Sequence, residues 1–187
     1  MYTLAIDGSS NLIDFSIFNQ EDELLYCHCF LPKEPFSKIL IDLVDNALNE
    51  INIKLEDITQ LFAVAGPGRY TSIRVVISTL KGLFFKKPTK TYRVNELDLT
   101  AVLIDKDRFR VAGELFSSYG YFCDYEKKDG RLIRISSITK AKQDEITDTK
   151  LELFYTTDKT LLPKTPFVFK IKDLAEEVEL LDLNPFY

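Results

Sequence analysis

The stretch Leu61–Phe85, LFAVAGPGRYTSIRVVISTLKGLFF, constrains the fold of this chain more than any other. An apolar run, Leu61–Ala65, stops at Gly66-Pro67-Gly68 and is followed by the hydroxyl pair Thr71-Ser72 and a second apolar segment. That order predicts a strand, a glycine turn and a helix. Glycine reaches backbone conformations closed to other residues, Pro67 stiffens the turn, and Thr71 or Ser72 is placed to cap the free amides that follow. Such a loop suits either an anion held at a helix start or a tight corner, and the Lys-Ser/Thr pair of a P-loop does not follow it. Ile73, Val75, Val76, Ile77 and Thr79 are β-branched and favour a strand. Length decides for a helix, because about fifteen residues between Thr71 and Lys86 exceed an ordinary strand.

A chain of 187 residues can bury its own core without staples. Its formal charge is -5, with both signs interleaved and no long basic tract, whereas a protein holding RNA by itself needs a basic face. Cys27, Cys29 and Cys123 are an odd set at spacings that fit no common disulfide or zinc framework, which makes a reducing cytoplasm the expected setting. No run approaches the roughly 20 apolar residues of a membrane span. A soluble, cytoplasmic protein is expected.

From the start, Met1–Asp7, Ile13–Asn19 and Glu23–Phe30 read as three strands joined by polar turns. Asp7 before Gly8-Ser9-Ser10 suits a hydrated metal with a phosphate, or a strand-end carboxylate accepting turn amides. In Cys27-His28-Cys29 the strand alternation puts both cysteines on one face and His28 on the other, which rules out convergence on one ion. Pro32–Pro35 is a linker. Phe36, Ile39, Leu40, Leu43, Val44, Ala47, Leu48 and Ile51 then recur at helical spacing, as do Ile73, Val76, Ile77, Leu80 and Phe84 further on. Both stripes are broad enough to serve the protein's own sheet and a partner.

Pro88 ends the second helix, Thr91–Val94 reads as a strand, and Asn95 as the cap of a helix Glu96–Ile104. Arg108–Phe116, Tyr119–Glu126 and Leu132–Ser136 look like antiparallel strands around Ser117-Ser118 and Lys128-Asp129-Gly130. Their aromatic group Tyr119, Tyr121, Phe122 and Tyr125 is suited to cross-strand packing before base stacking. Lys140–Lys150 reads as a loop or short helix, Leu151–Thr156 and Phe167–Ile171 as strands, and Asp173–Leu181 as a short acidic helix.

Asp7 ending the first strand, the three-strand start, the helix from Ser37 and GPGRYTSIR opening a second helix together resemble the TsaB (YeaZ) family. Gly66, Pro67, Gly68, Thr71, Ile73, Arg74 and Val75 match the family's loop pattern, while Ser72 and Val76 stand where glycines are usual. The terminal Pro185-Phe186-Tyr187 is similar to the family's closing Pro-x-Tyr. The resemblance implies an α/β, actin-like ATPase fold of the ribonuclease H-like class, divided into an N-terminal lobe, 1–94, and a shortened C-terminal lobe, 95–187.

In function the resemblance implies a non-catalytic scaffold of the complex that forms N6-threonylcarbamoyladenosine beside the tRNA anticodon. The implied partners are a TsaD-like catalytic paralogue and a TsaE-like ATPase, with a competing homodimer through the same helices and tRNA reached only within the complex. The expected interface is Phe36, Ile39, Leu40, Leu43, Val44, Ala47, Ile73, Val76, Ile77 and Leu80. No cofactor of its own is expected, with ATP and magnesium at the partner interface or used by partners. The alternative is a small ATPase or kinase that holds a nucleotide with Asp7, Ser9, Ser10, Gly66 and Gly68. A protease would have to rest on His28, the single histidine.

Overall fold

The computed structural model describes residues 1–113, 118–157 and 162–186. Two sheets form the frame. The first holds β1 (Tyr2–Asp7), β2 (Ile13–Phe18), β3 (Leu24–Phe30), β4 (Ile58–Val64), β5 (Lys90–Val94) and β11 (Glu176–Val178), in the spatial order β11-β5-β4-β1-β2-β3. β1, β4 and β5 run parallel, while β2, β3 and β11 pair antiparallel with their neighbours. A hairpin meander followed by parallel strands on the other side of β1 is the ribonuclease H-like arrangement of actin-like ATPases, as the family resemblance implies.

Both faces of this sheet are covered, so its central strands are apolar on both sides. On one face Leu4, Ile6, Phe15, Leu61 and Ala63 pack against α1 (Phe36–Glu50) and α2 (Tyr70–Leu83). On the other, Ala5, Phe18, Phe62, Val64 and Tyr92 meet Leu99 of α3 (Glu96–Ala101) and Val168 and Ile171 of a 3₁₀ segment, Thr165–Leu174. α3 continues into the second sheet, where Leu97 and Ala101 pack on Phe109, Val111, Cys123 and Tyr125. That sheet comprises β6 (Arg108–Ala112), β7 (Tyr119–Lys128), β8 (Arg131–Arg134), β9 (Thr139–Lys142) and β10 (Glu152–Tyr155), with α4 (Gln143–Thr147) beside it.

Asn95 caps α3 as its sequence predicts, its Oδ1 accepting the Leu97 N–H at 2.9 Å. Four expectations are corrected. Phe167–Ile171 is 3₁₀ rather than strand: Pro166 removes a ladder donor, and the three-residue spacing of Val168 and Ile171 matches the 3₁₀ repeat that buries both. The expected acidic helix from Asp173 contains β11 instead, where Glu176 sits opposite Arg93 and accepts its Nε–H at 3.1 Å. The charged stretch from Lys140 includes the end of β9, which pairs with β7, before α4. Finally, α2 begins at Tyr70 with Arg69 at the cap position and no side-chain cap, so neither Thr71 nor Ser72 plays that part. The end of the strand expected to reach Phe116, the turn residue Ser117 and Tyr187 of the terminal motif lie outside the described residues.

Phe62 is fully buried, stacks on Tyr92 at 4.7 Å and meets Phe169 edge-on at 5.4 Å. Phe62→Ala is expected to cost about 3–5 kcal/mol in urea unfolding. A loss below about 1 kcal/mol contradicts the placement of this core.

Candidate functional site

The turn after β1 and the glycine turn after β4 meet at the carboxyl ends of their parallel strands, where α/β sheets place ligands. Here the two turns fill each other. Ser9 N–H donates to Asp7 Oδ1 at 2.7 Å, and Arg69 N–H donates to the Ser9 carbonyl at 2.6 Å. A Cβ on Gly68 would lie 2.3 Å from the Ser9 carbonyl oxygen, so glycine is required by the neighbouring chain itself. Gly66 has φ 109°, the left-handed region, and its carbonyl accepts the Glu96 N–H at 2.8 Å. Ser10 is half-buried and its Oγ accepts the Leu12 N–H at 3.0 Å. Asp7, Ser9, Ser10, Gly66 and Gly68 thus lie in two turns that bond and pack against the protein itself.

Beneath them lies a charge cluster. Asp14 faces Asp7 in the β1–β2 register, and Glu96 opens α3. Into this group comes Lys164, with only 2% of its surface exposed. Its ammonium bonds Glu96 Oε1 and donates to the Thr156 carbonyl at 2.7 Å, while its amide donates to Asp14 Oδ2 at 2.6 Å. Thr165 adds a hydroxyl donor to Asp14 Oδ1 at 2.6 Å and shares a 2.7 Å bond with Ser16. One lysine serves an acidic pocket built from β1, β2 and α3.

The charges shift accordingly. Burial and then the Asp7 carboxylate push Glu96 up to about 8, against the pull of Lys164. A proton kept there gives Oε2, otherwise unpartnered, a donor toward Asp7. Burial raises Asp14 too, against the Thr165 hydroxyl. Burial opposes the Lys164 ammonium, but Glu96 and Asp7 outweigh it, and its pKa is raised. Cys29, opposite Asp14 on β3, is pushed up to about 12 by burial and by Asp14 and Asp7, which makes its thiol a poor nucleophile.

Two partly buried ion pairs shape the second sheet. Arg110 holds Asp124 with two bonds, at 2.6 and 3.0 Å, and lies over the Phe122 ring at 4.1 Å. Arg134 pairs with Asp98, which also accepts the Tyr125 hydroxyl at 2.8 Å. Tyr125 is therefore core, and of the expected aromatic group only Tyr119 is exposed, with Tyr121 half-buried. His28 meets Phe30 edge-on and Tyr26 Oη at 3.4 Å. Among the described residues no three His, Cys, Asp or Glu side chains are arranged to hold a metal ion. No helix among them is long and apolar enough to cross a membrane.

The helical face departs most from expectation. Leu40, Val44, Ala47, Ile73, Val76, Ile77 and Leu80 are buried against the sheet, so these seven cannot form a contact surface as expected. Phe36, Ile39 and Leu43 remain half-buried at the margin. What faces outward is Ile41, 51% exposed, with Val75 half-buried, and a cleft of about 410 Å³ lined by Ser37, Tyr70, Thr71, Arg74, Val75, Ser78 and Thr79. Val76, where the family has glycine, presses on Gly8, whose added Cβ would lie 2.7 Å from its Cγ2.

A family model described as TsaD, tRNA N6-adenosine threonylcarbamoyltransferase, matches residues 31–109, which carry α1, the glycine turn, α2 and α3. YeaZ from Pseudomonas aeruginosa superposes with a TM-score of 0.77 over 100% of this chain and 99% of that one, at 17% identity. The chain has the YeaZ fold. A second structure, of an uncharacterized Pseudomonas aeruginosa protein with similarity to peptidase YEAZ, gives a TM-score of 0.78 at 18% identity, covering 100% of this chain and 98% of that one. The resemblance read from the sequence and the architecture agree on the fold. Within the YeaZ fold, Glu96 and Lys164 were not singled out by sequence. A glutamate right after a cap and ahead of Leu97, Leu99 and Ala101 was the available sign for Glu96; Lys164, directly after Pro163 and two residues before Pro166, gave none.

Lys164→Met strands the acids it serves and is expected to destabilise the protein by about 3–5 kcal/mol; an unchanged midpoint contradicts the cluster. Folded Glu96 keeps a proton that the unfolded chain gives up near 4.5, so its contribution to stability declines as pH rises from about 4.5 to about 8. Glu96→Gln should remove that decline in urea titrations at successive pH values. An identical slope in the variant refutes the buried proton.

Proposed function

We propose that this chain is a non-catalytic supporting subunit in the formation of N6-threonylcarbamoyladenosine next to the tRNA anticodon, and that it binds a TsaD-like catalytic paralogue. The observation that carries this reading is Lys164. An ammonium group of the protein's own sits among Asp7, Asp14 and Glu96, and Ser9 fills the space beside Gly68. A nucleotide with its cation would have to displace both. The full-length YeaZ fold and the TsaD family match over 31–109 support the assignment to this pathway.

The partner surface is the outer side of α1 and α2: Ile41, the half-buried Phe36, Ile39, Leu43 and Val75, and the cleft around Arg74. Apolar side chains at a rim of Ser, Thr and Arg have the make-up of a protein interface. The same surface would serve a competing homodimer. A TsaE-like ATPase, ATP and magnesium belong to the assembled complex, and a net charge of -5 leaves tRNA binding mainly to the partner.

The test is co-purification with the TsaD-like protein of the same cell, followed by threonylcarbamoyl transfer to tRNA with and without this chain. Transfer that requires the chain is expected, and Ile41→Glu should weaken the heterodimer at least about tenfold with folding intact. Full transfer without the chain overturns the reading. Full binding by a folded Ile41→Glu variant removes the assigned surface.

A further inference from the structure

We propose that a cup between the end of α3, the β7–β8 hairpin and the 3₁₀ segment is a binding site for a phosphate group. The site goes beyond the supporting role above and does not depend on it.

The cup has a volume of about 410 Å³ and is lined by Val102, Lys127, Gly130, Leu132 and Lys170. Three elements distant in the chain build it, at the end of β7 remote from Tyr119. Val102 is the C-cap of α3. Lys127 and Leu132 stand opposite each other in the β7–β8 ladder, so they share a face. Gly130 turns the hairpin with φ 75°, and nothing lies within 4 Å of where a Cβ would stand, which leaves open space there. Lys170 comes from the 3₁₀ segment, its Nζ 5.2 Å from the centroid of the Phe167 ring.

Two ammonium groups thus line one cavity with no acid paired to either. Among the described residues neither lysine is in an ion pair, whereas Arg93, Arg110, Arg134 and Lys164 each hold a carboxylate. Lys127 donates one N–H to the Val102 carbonyl at 3.2 Å, and an ammonium has two more to give. Burial lowers its pKa and the charge of Lys170 adds to that, against the pull of Asp105; an anion in the cup would offset both. Strand alternation turns Lys128 and Arg131 to the other face, which leaves the charge of the cup to Lys127 and Lys170. Lysines hold anions as point charges, which suits the tetrahedral oxygens of phosphate, while a planar carboxylate is matched better by the fork of an arginine. The cup is larger than one phosphate, so room remains for the group that carries it. That phosphate arrives either free or in the backbone of an RNA.

The test is an NMR titration of the isotope-labelled full chain with sodium phosphate, against sodium chloride at equal ionic strength. Phosphate should give saturable shifts at the Gly130 and Val102 amides that chloride does not give. Saturation is expected only well above millimolar phosphate, since partly exposed charge pairs are individually weak. Lys170→Glu, at an exposed position, sets a carboxylate before Lys127 and should abolish the shifts. Lys127→Gln/Lys170→Gln should do the same, with circular dichroism confirming the fold of both variants. Fluorescence anisotropy with a short RNA hairpin separates the two sources. A backbone phosphate is indicated by binding whose slope of log affinity against log salt falls by about 2 in the double variant, and a free one by phosphate shifts with no such change. Shifts that chloride reproduces, or that persist in either variant, overturn the site, as does a chain on which neither phosphate nor the hairpin has any effect.

Discussion

The interaction on which the rest of the structure depends is the bond of the Lys164 ammonium to Glu96, inside the pocket shared with Asp7 and Asp14. It ties together segments far apart in the chain: β1, β2, the start of α3 and the residues leading into the 3₁₀ segment that covers the first sheet. A lysine this deep is costly unless paired, and here every carboxylate near it is arranged around it. Thr165 and Ser16 complete the network by serving Asp14. Buried polar networks of this kind fix one arrangement of packed elements, so the cluster sets how the returning chain seats on the sheet.

The same interaction decides how the glycine turn is read. In sequence, Gly66-Pro67-Gly68 before a helix is as apt for an anion as for a corner. In the fold, Gly68 is glycine because the Ser9 carbonyl occupies the space of a side chain, and Arg69 N–H is spent on that carbonyl. Val76 closes from the side, against Gly8. The turn launches α2 at a fixed angle over the sheet beside α1, and chemistry at this place would need the turn to part from its neighbour.

The first sheet and its two long helices were legible in the sequence because their signals are local: period-two and period-3.6 apolar patterns, an Asn cap, prolines at boundaries. The glycine loop then pointed to the family whose fold the chain has. The segment after Lys164 was misread, since 3₁₀ turns leave no long periodic signature and β11 exists only because β5 offers Arg93 opposite Glu176. Seven of the residues expected at a contact surface are buried for a related reason. A helical stripe shows which residues are apolar, and the most regular ones, Leu40, Val44, Ile73 and Ile77, are those the sheet claims; a contact surface draws on marginal residues such as Ile41 that break the pattern. Lys164 escaped notice because a lone lysine between prolines looks like a solvated loop residue, and only tertiary folding brings it to Glu96.

The central claim is that the cleft of this actin-like fold is filled by the protein's own groups. Isothermal titration of ATP with magnesium into the isolated chain tests it most directly. The account predicts no measurable heat of binding up to millimolar nucleotide and no release of phosphate; micromolar binding accompanied by turnover would contradict it.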